Sequence, residues 1–217
     1  MVDTVQLDSM IALTERVAKG LELRDSRHPL LVGISGPPAS GKSTISGLLR
    51  TEVNKLLGSE SVAVVPMDGF HLDNQVLEAQ QLLAVKGSPR TFDTAGFQSL
   101  LKRVAAAETP IYYPVFDRDR DLSINAGGAV EAHHSIVLVE GNYLLLNEPI
   151  WRDIATLFEL TISIDVPMEQ IRQRLRQRWV SQGLGEETVN RKLENNDLPN
   201  AKLVLEQSLP AMIKFSP

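Results

Sequence analysis

The chain has 217 residues, of which 43% are hydrophobic and 23% are charged, as expected for one globular domain with a single sizeable core. Its net charge of -5 disfavours broad nucleic-acid binding, and no stretch approaches the ~20 apolar residues that a membrane helix needs. Because the chain lacks cysteine, disulfides, a thiol nucleophile and Cys-ligated zinc are excluded. We expect a cytoplasmic protein without nucleic-acid or membrane partners, and a homodimer is compatible with the sequence.

Helical and strand patterns alternate along the chain. Residues 1–28 predict an amphipathic N-terminal helix from apolar positions at roughly helical spacing, namely Val5, Ile11, Val17 and Leu21. Apolar or β-branched runs predict strands at 30–35, 62–65, 136–139 and 160–166, and helices are predicted at 42–57, 98–107 and 169–180. The second and third runs are continuously apolar, as in covered parallel strands, whereas the fourth alternates and is predicted nearer an edge. The order predicts an α/β fold with a mostly parallel sheet.

Two segments, 86–93 and 111–128, are rich in Pro, Gly, Asp and Arg and are predicted to be irregular. Both are too long to be simple connections. Loops of this length in a compact domain usually bind ligands or cover a site. We therefore predict a functional insert over 86–128.

The segment GPPASGKS at 36–43 follows a predicted strand, precedes a predicted helix and matches the pattern G-x-x-x-x-G-K-[ST]. Its glycines let backbone N–H groups turn toward phosphate oxygens, and the helix N-terminus adds positive potential. Lys42 would reach the β and γ phosphates, and Ser43 would bind Mg²⁺. The motif predicts a site for a nucleoside triphosphate, which we interpret as ATP, formed by Gly36, Ala39, Ser40, Gly41, Lys42, Ser43 and Thr44.

Two acidic residues follow predicted strands, at the sheet edge where α/β proteins bind ligands. Asp68 in PMDGFH could accept a proton from an attacking hydroxyl or help to hold Mg²⁺, although an Asp-Gly turn alone would also explain it. Glu140 in IVLVEGNYLLL is a candidate magnesium carboxylate. His71 lies close enough along the chain to be near an acceptor molecule, although a structural histidine is the more frequent case.

The segment IRQRLRQRW carries an apolar helical stripe of Ile171, Leu175 and Trp179. Arg172 and Arg176 flank this stripe on one side, and Arg174 and Arg178 flank it on the other. Either a solvated face or a mobile lid would explain this pattern. We adopt a lid over 169–195, in which Arg174 acts in catalysis and Arg178 binds the nucleotide.

Five motifs in this order resemble the P-loop kinases grouped around uridine kinase, phosphoribulokinase and bacterial pantothenate kinase: GPPASGKST, MDGFH, KGSPRTFDTAGF, YYPVFDRDRD and VLVEGNYLL. The stretches EGNYLLL and NDLPNAKLV are also similar to proteins named as fructose transport system kinases. The resemblance covers most of the chain and implies a three-layer P-loop NTPase fold with a helical lid. It implies that Asp68 is the general base, that Ser43, Asp68 and Glu140 hold Mg²⁺, and that the acceptor contacts are His71, Arg90, Asp93, Tyr113, Arg118 and Asn142.

The leading hypothesis is an ATP-dependent kinase that phosphorylates a hydroxyl of a small metabolite, such as fructose or another sugar, a nucleoside or a pantothenate-like acceptor. An ATP-binding regulatory protein, or a weak ATPase without an acceptor, is the main alternative. A nucleic-acid-modifying enzyme is a third alternative, disfavoured by the acidic charge.

Overall fold

The computed structural model describes residues 4–23 and 28–217. The strands in these ranges are β1 (Val5–Leu7), β2 (Leu30–Ser35), β3 (Val62–Pro66), β4 (Ile111–Asp117), β5 (Leu122–Val130), β6 (Ile136–Gly141), β7 (Leu160–Ile164) and β8 (Ile213–Phe215). The α-helices are α1 (Met10–Glu22), α2 (Lys42–Leu57), α3 (Asn74–Ala79), α4 (Thr94–Ala105), α5 (Pro149–Ala155), α6 (Met168–Ser181), α7 (Glu186–Lys192) and α8 (Leu198–Gln207). Short 3₁₀ turns lie at Met67–Phe70, Leu83–Val85 and Pro89–Thr91, and a π-helical turn lies at Leu193–Asp197.

Six of the strands form one parallel sheet in the order β1-β8-β7-β2-β6-β3. Strand β2 lies near the centre, where Val32 is aligned with Leu138 of β6 and Leu160 of β7. Because the strands are parallel, the loops that follow β2, β3 and β6 meet at one edge of the sheet. The predicted α/β fold with a mostly parallel sheet is confirmed.

Alternate residues of the central strands pack against opposite helical layers. In β2, Val32 and Ile34 face a core formed with α1, α2 and α6, whereas Leu31 faces a core formed with α4 and α5. Each fully buried aliphatic side chain contributes about 1.5–3 kcal/mol through the hydrophobic effect. The sheet therefore lies between two apolar layers, which fix the positions of the loops at its edge.

The N-terminal segment differs from the predicted helix over 1–28. The helix begins only at Met10, because Val5 belongs to β1 and pairs with Ile213. Ile11 is exposed, and the buried face of α1 is formed by Leu13, Thr14, Val17 and Ala18. The parts of this prediction at residues 1–3 and 24–27 lie outside the described residues. No helix in the described ranges has both the length and the apolar character needed to cross a membrane.

The prediction that the strand at 160–166 lies nearer an edge is wrong. Strand β7 lies between β2 and β8, and β3 and β1 form the edges of the sheet. The polar residues that produce the alternation are used inside the sheet. Thr161 Oγ1 accepts a hydrogen bond from the backbone N–H of Met212 at 3.0 Å, so this hydroxyl is satisfied without solvent.

The segment 111–128 is also more regular than predicted, because β4 and β5 form an antiparallel hairpin. The register shifts between Tyr113 and Val115, around a proline that lacks a backbone N–H. On the partner strand, a Cβ at Gly128 would lie 2.3 Å from the Tyr113 ring, so a glycine is required there. The same Pro and Gly residues that suggested a loop therefore allow the two strands to pair.

Candidate active site

The loop between β2 and α2 turns sharply before the helix begins. Ala39 and Gly41 both have positive φ angles, of 60° and 95°, and Lys42 is the first residue of α2. The hydroxyl of Ser40 is buried and has no hydrogen-bond partner among residues 4–23 and 28–217. The first N–H groups of a helix also lack intrahelical partners. Unpaired donors at this loop fit the phosphate groups of a nucleotide.

Lys42 is buried at the start of α2 and donates a hydrogen bond to the Pro37 carbonyl oxygen at 2.9 Å. Burial lowers the pKa of its ammonium group, and the nearby carboxylates of Glu140 and Asp68 oppose this shift. An ammonium group has three donors, so two are left for phosphate oxygens.

Ser43 and Glu140 connect α2 with the end of β6. The Ser43 hydroxyl donates a hydrogen bond to Glu140 Oε1 at 2.8 Å. Burial raises the pKa of Glu140, whereas Lys42 and the Ser43 hydrogen bond oppose this increase. A hydroxyl and a carboxylate are oxygen ligands of the kind Mg²⁺ prefers, and bound phosphates normally complete its coordination. The residues present therefore fit a magnesium ion.

Asp68 lies in the 3₁₀ turn that follows β3, beside the β4–β5 hairpin. Its Oδ2 atom accepts a hydrogen bond from Arg118 Nη2 at 2.8 Å, and both side chains are partly exposed. The next residue, Gly69, lies against the main chain of Pro114, where a Cβ would be 2.0 Å from the carbonyl oxygen. Close backbone packing therefore holds this carboxylate beside the hairpin.

His71 is held between two aromatic rings, with ring centroids 4.1 Å from Phe92 and 4.6 Å from Phe116. Its Nδ1 atom lies 2.7 Å from the carbonyl oxygen of Asp68, which can only accept a hydrogen bond. Nδ1 therefore carries the proton. Burial lowers the pKa of the imidazole, although Asp68 opposes this shift, and Nε2 is left as a hydrogen-bond acceptor.

A cavity of about 1100 Å³ connects these groups with the predicted lid. The cavity is lined by Lys42, Ser43, Thr44, Asp68, His71, Arg118, Glu140, Asn142 and Arg178, among other residues. Arg174 lies against the loop instead, where it donates to the carbonyl oxygens of Ala39 and Ser40 at 3.3 Å. Arg178 therefore lines the cavity, whereas Arg174 contacts the backbone of the loop between β2 and α2.

The arginines on the opposite side of α6 are paired with glutamates of the segment that follows this helix. Arg172 donates to Glu194 at 2.6 Å, and Arg176 donates to Glu186 at 2.7 Å. Trp179, in the apolar stripe, donates through Nε1 to Asp197 at 2.6 Å and lines the cavity. These contacts join α6 to α7 and to the π-helical turn.

Three predicted acceptor residues lie outside this cavity. Arg90 is exposed and lines a neighbouring cavity of about 370 Å³, which shares residues such as Val85 and Asn196 with the first. Asp93 caps α4 by accepting a hydrogen bond from the Gly96 backbone N–H at 2.8 Å. Tyr113 is buried, and its hydroxyl donates to the Val64 carbonyl oxygen at 2.9 Å. The structure therefore assigns structural contacts to the last two side chains.

Several cavity residues were missed by sequence reasoning. Lys86 and Asn74 line the cavity, together with Asp121 from the hairpin turn. Asn196 of the π-helical turn and Asn200 of α8 also line the cavity, and Asn196 donates to the Lys86 carbonyl oxygen at 2.8 Å. The asparagine-rich segment ENNDLPN at 194–200 was a signal for the last two. No local pattern distinguishes the other three.

A parallel sheet with a phosphate loop, a hydroxyl–carboxylate pair that fits Mg²⁺ and a carboxylate beside a polar cavity are the features of a P-loop phosphotransferase. The chain is 33% identical over 193 residues to a Schizosaccharomyces pombe protein named "putative uridine kinase", covering 86% of this chain and 82% of that protein. It is 27% identical to a Bradyrhizobium pantothenate kinase and spans about half of that protein, 52%. No protein-family model matches the sequence.

Among solved structures, the fold is similar to that of a "putative fructose transport system kinase" from Silicibacter sp., with a TM-score of 0.89 and 40% identity. The match covers 95% of this chain and 98% of that one. The chain therefore belongs to the P-loop kinases of the uridine kinase, phosphoribulokinase and pantothenate kinase group. It is an ATP-dependent kinase that acts on a small metabolite.

Proposed function

We propose that this kinase transfers the γ-phosphate of ATP to a hydroxyl of a small metabolite, and that residues 1–217 form one domain. The proposal rests on one observation: Lys42, the Ser43–Glu140 pair and Asp68 all line the same cavity at the carboxyl ends of three neighbouring strands. Phosphoryl transfer requires mainly positioning and charge stabilisation, which such an arrangement provides.

Asp68 is the proposed general base. Arg118 donates a hydrogen bond to Oδ2, and Oδ1 accepts no hydrogen bond from the described residues. Oδ1 can therefore accept the proton of the attacking hydroxyl, while Arg118 keeps the carboxylate in position. Lys42 would bind phosphate oxygens on the other side of the reacting group. When bound by Ser43 and Glu140, Mg²⁺ would offset negative charge on the phosphates.

Arg178 is proposed to stabilise charge from the lid side. It lines the cavity, and burial lowers its pKa, as does the positive charge of Arg118, whereas Asp197 and Asp68 oppose this shift. Arg174 is proposed to support the loop through the carbonyl groups of Ala39 and Ser40. The segment 169–195 would then act as the lid, and 86–128 as the acceptor-binding insert.

The acceptor side of the cavity contains hydrogen-bonding groups suited to hydroxyls. His71 offers Nε2 as an acceptor, and Asn74 and Asn142 add amide groups. Phe116 supplies an aromatic face in the same region. This chemistry suits a sugar such as fructose, a nucleoside or a pantothenate-like molecule, and the names of the related kinases include acceptors of these kinds.

The proposal is tested by measuring ADP release with Mg²⁺ and ATP over a panel of sugars, nucleosides and pantothenate, against an acceptor-free control. Asp68→Asn should lower acceptor-stimulated kcat by about 10²–10⁴-fold and leave ATP affinity nearly unchanged, because a general base contributes by this amount. Asp119→Asn is the matched control, since Asp119 is exposed on the same hairpin and does not line the cavity. Unchanged turnover in Asp68→Asn would refute the assigned role.

A further inference from the structure

The charged groups on the acceptor side of the cavity are arranged in neutral pairs. We use the name acceptor wall for Asp68, Asn74, Lys86, Phe116, Arg118 and Asp121, which lie in or beside α3, the loop at 86–87 and the hairpin. Lys86 forms an ion pair with Asp121 at 2.9 Å, and Arg118 forms one with Asp68 at 2.8 Å. Each cation of the wall therefore already has a carboxylate partner.

Lys86 is held within the acceptor wall by two hydrogen bonds and one ion pair. Its ammonium group lies 2.7 Å from Asn74 Oδ1 and 2.9 Å from both the carbonyl oxygen and Oδ1 of Asp121. Two N–H groups are used in the hydrogen bonds to Asn74 and to the Asp121 carbonyl oxygen, and the Asp121 carboxylate balances the charge of the ammonium group. The ammonium also lies 5.0 Å from the centroid of the Phe116 ring, and its side chain is only 14% exposed. An anionic ligand would have to displace Asp121 in order to bind this lysine.

Arg118 is paired with Asp68. Its partner is the carboxylate proposed as the general base, so an anion that drew Arg118 away would leave Asp68 without its positioning contact. An additional anion would also lie close to Asp68 and repel its negative charge. Anionic acceptors are therefore disfavoured by the same pair that holds the base.

The remaining walls of the cavity carry an excess of positive charge. The described lining residues there include four cations but only two carboxylates: Lys42, Arg178, Arg191 and Lys192 against Glu140 and Asp197. An excess of positive charge suits the triphosphate of ATP. The cavity is thus electropositive where it would hold the nucleotide and balanced where it would hold the acceptor.

We infer that the acceptor is an uncharged polyhydroxylated molecule, read by neutral hydrogen-bonding groups, and not a sugar phosphate or a carboxylate. This inference rests on the proposed function and narrows its acceptor class. Hydroxyl groups can bond to His71 Nε2 and to the free N–H of the Asn74 amide without separating either ion pair. A carboxylate or phosphate gains no unpaired cation from Lys86.

The test compares matched neutral and anionic molecules: fructose with fructose 6-phosphate, ribose with ribose 5-phosphate, and pantothenyl alcohol with pantothenate. Binding is measured by calorimetry in the presence of Mg²⁺ and a non-hydrolysable ATP analogue, and turnover is measured separately by ADP release. We expect the neutral member of the best pair to bind at least about tenfold more tightly, because a buried charge without a partner is costly. Tighter binding of the anionic member, or no binding by any neutral member, would overturn the inference.

These two measurements separate the inference from the proposed function. Binding of neutral members without ADP release would refute phosphoryl transfer and support the acceptor class. Turnover that is faster with anionic members would refute the acceptor class and support phosphoryl transfer.

Two variants test the ion pair directly. Asp121→Asn leaves Lys86 with an uncompensated charge and should shift the neutral-to-anionic preference toward anions by about fivefold or more. Lys86→Gln should shift the preference in the opposite direction, because Asp121 then remains as an unpaired anion. Asp119→Asn carries the same charge change on the same hairpin, outside the cavity, and should leave the preference unchanged. Equal shifts in both Asp→Asn variants would contradict the assignment of the Lys86 pair.

Discussion

Gly69 provides a direct test of how the candidate base is held. A Cβ at this position would lie 2.0 Å from the carbonyl oxygen of Pro114 and 2.6 Å from its carbonyl carbon. Both atoms belong to the main chain, so relief requires the hairpin and the 3₁₀ turn to move apart by about 1 Å or more. Overpacking usually costs about 1–3 kcal/mol, and we expect Gly69→Ala to lie near the upper end.

A loss of about 3 kcal/mol corresponds to a decrease in Tm of about 6–12 °C for a domain of this size. The affected strand leads to Arg118, so kcat/KM should fall as well. Gly47→Ala is the matched control, because Gly47 lies inside α2 with nothing within 4 Å of the added Cβ. In a helix this change should stabilise the protein by up to about 1 kcal/mol.

The assay is thermal and urea unfolding of the two variants and the parent protein, followed by ADP release at saturating ATP. Opposite signs of the two stability changes are expected. If the free energy of unfolding of Gly69→Ala lay within about 1 kcal/mol of that of the parent protein, the close packing of the turn against Pro114 would be refuted.

Two further predictions concern the lid. Arg178→Ala should lower kcat by about tenfold or more, because a cation near the transferring phosphate is lost. The control Arg172→Ala should change kcat by less than about twofold, since Arg172 pairs with Glu194. Equal decreases of kcat in steady-state assays of the two variants would contradict the lid assignment. Burial raises the pKa of Asp197, although the hydrogen bond from Trp179 opposes this shift. The parent protein is therefore less destabilised by Asp197 at low pH, where this side chain is protonated, than above its raised pKa, where a buried negative charge is required. Asn cannot ionise, so the Tm of Asp197→Asn minus the Tm of the parent protein should increase from about pH 4 to about pH 8. If the difference in Tm did not change with pH, the cost of burying the ionised Asp197 carboxylate would be refuted.

The parts of the site that depend on local sequence could be predicted. The loop at 36–43 carries its own signal, because small residues, a lysine and a following helix must occur together for the backbone to surround phosphate. Asp68 and Glu140 could be found because each follows a strand of a predicted parallel sheet, and such positions share one edge. For both residues, the order of strands and helices along the chain is enough to predict that they lie at the site.

The acceptor side could not be predicted in the same way, since it depends on contacts between distant segments. Lys86 meets Asn74 and Asp121 only after the hairpin has folded over α3. Conversely, Asp93 precedes a helical pattern, and an aspartate in that position commonly caps a helix. That local interpretation agrees with its bond to the Gly96 N–H, whereas the resemblance had implied an acceptor contact.

The pairing of β1 with β8 has a consequence for synthesis on the ribosome. Thr4 donates to the carbonyl oxygen of Ala211, a residue 207 positions further along the chain, and Val5 lies opposite Ile213. In the described sheet β1 pairs with β8 alone, so this strand has no pairing partner until almost all of the described chain has been translated. Chains emerge N-terminus first at about 5–20 residues per second. An early-made segment must therefore remain unpaired for about 10–40 s, and a nascent-chain truncation that omits β8 should leave residues around Val5 accessible to a protease.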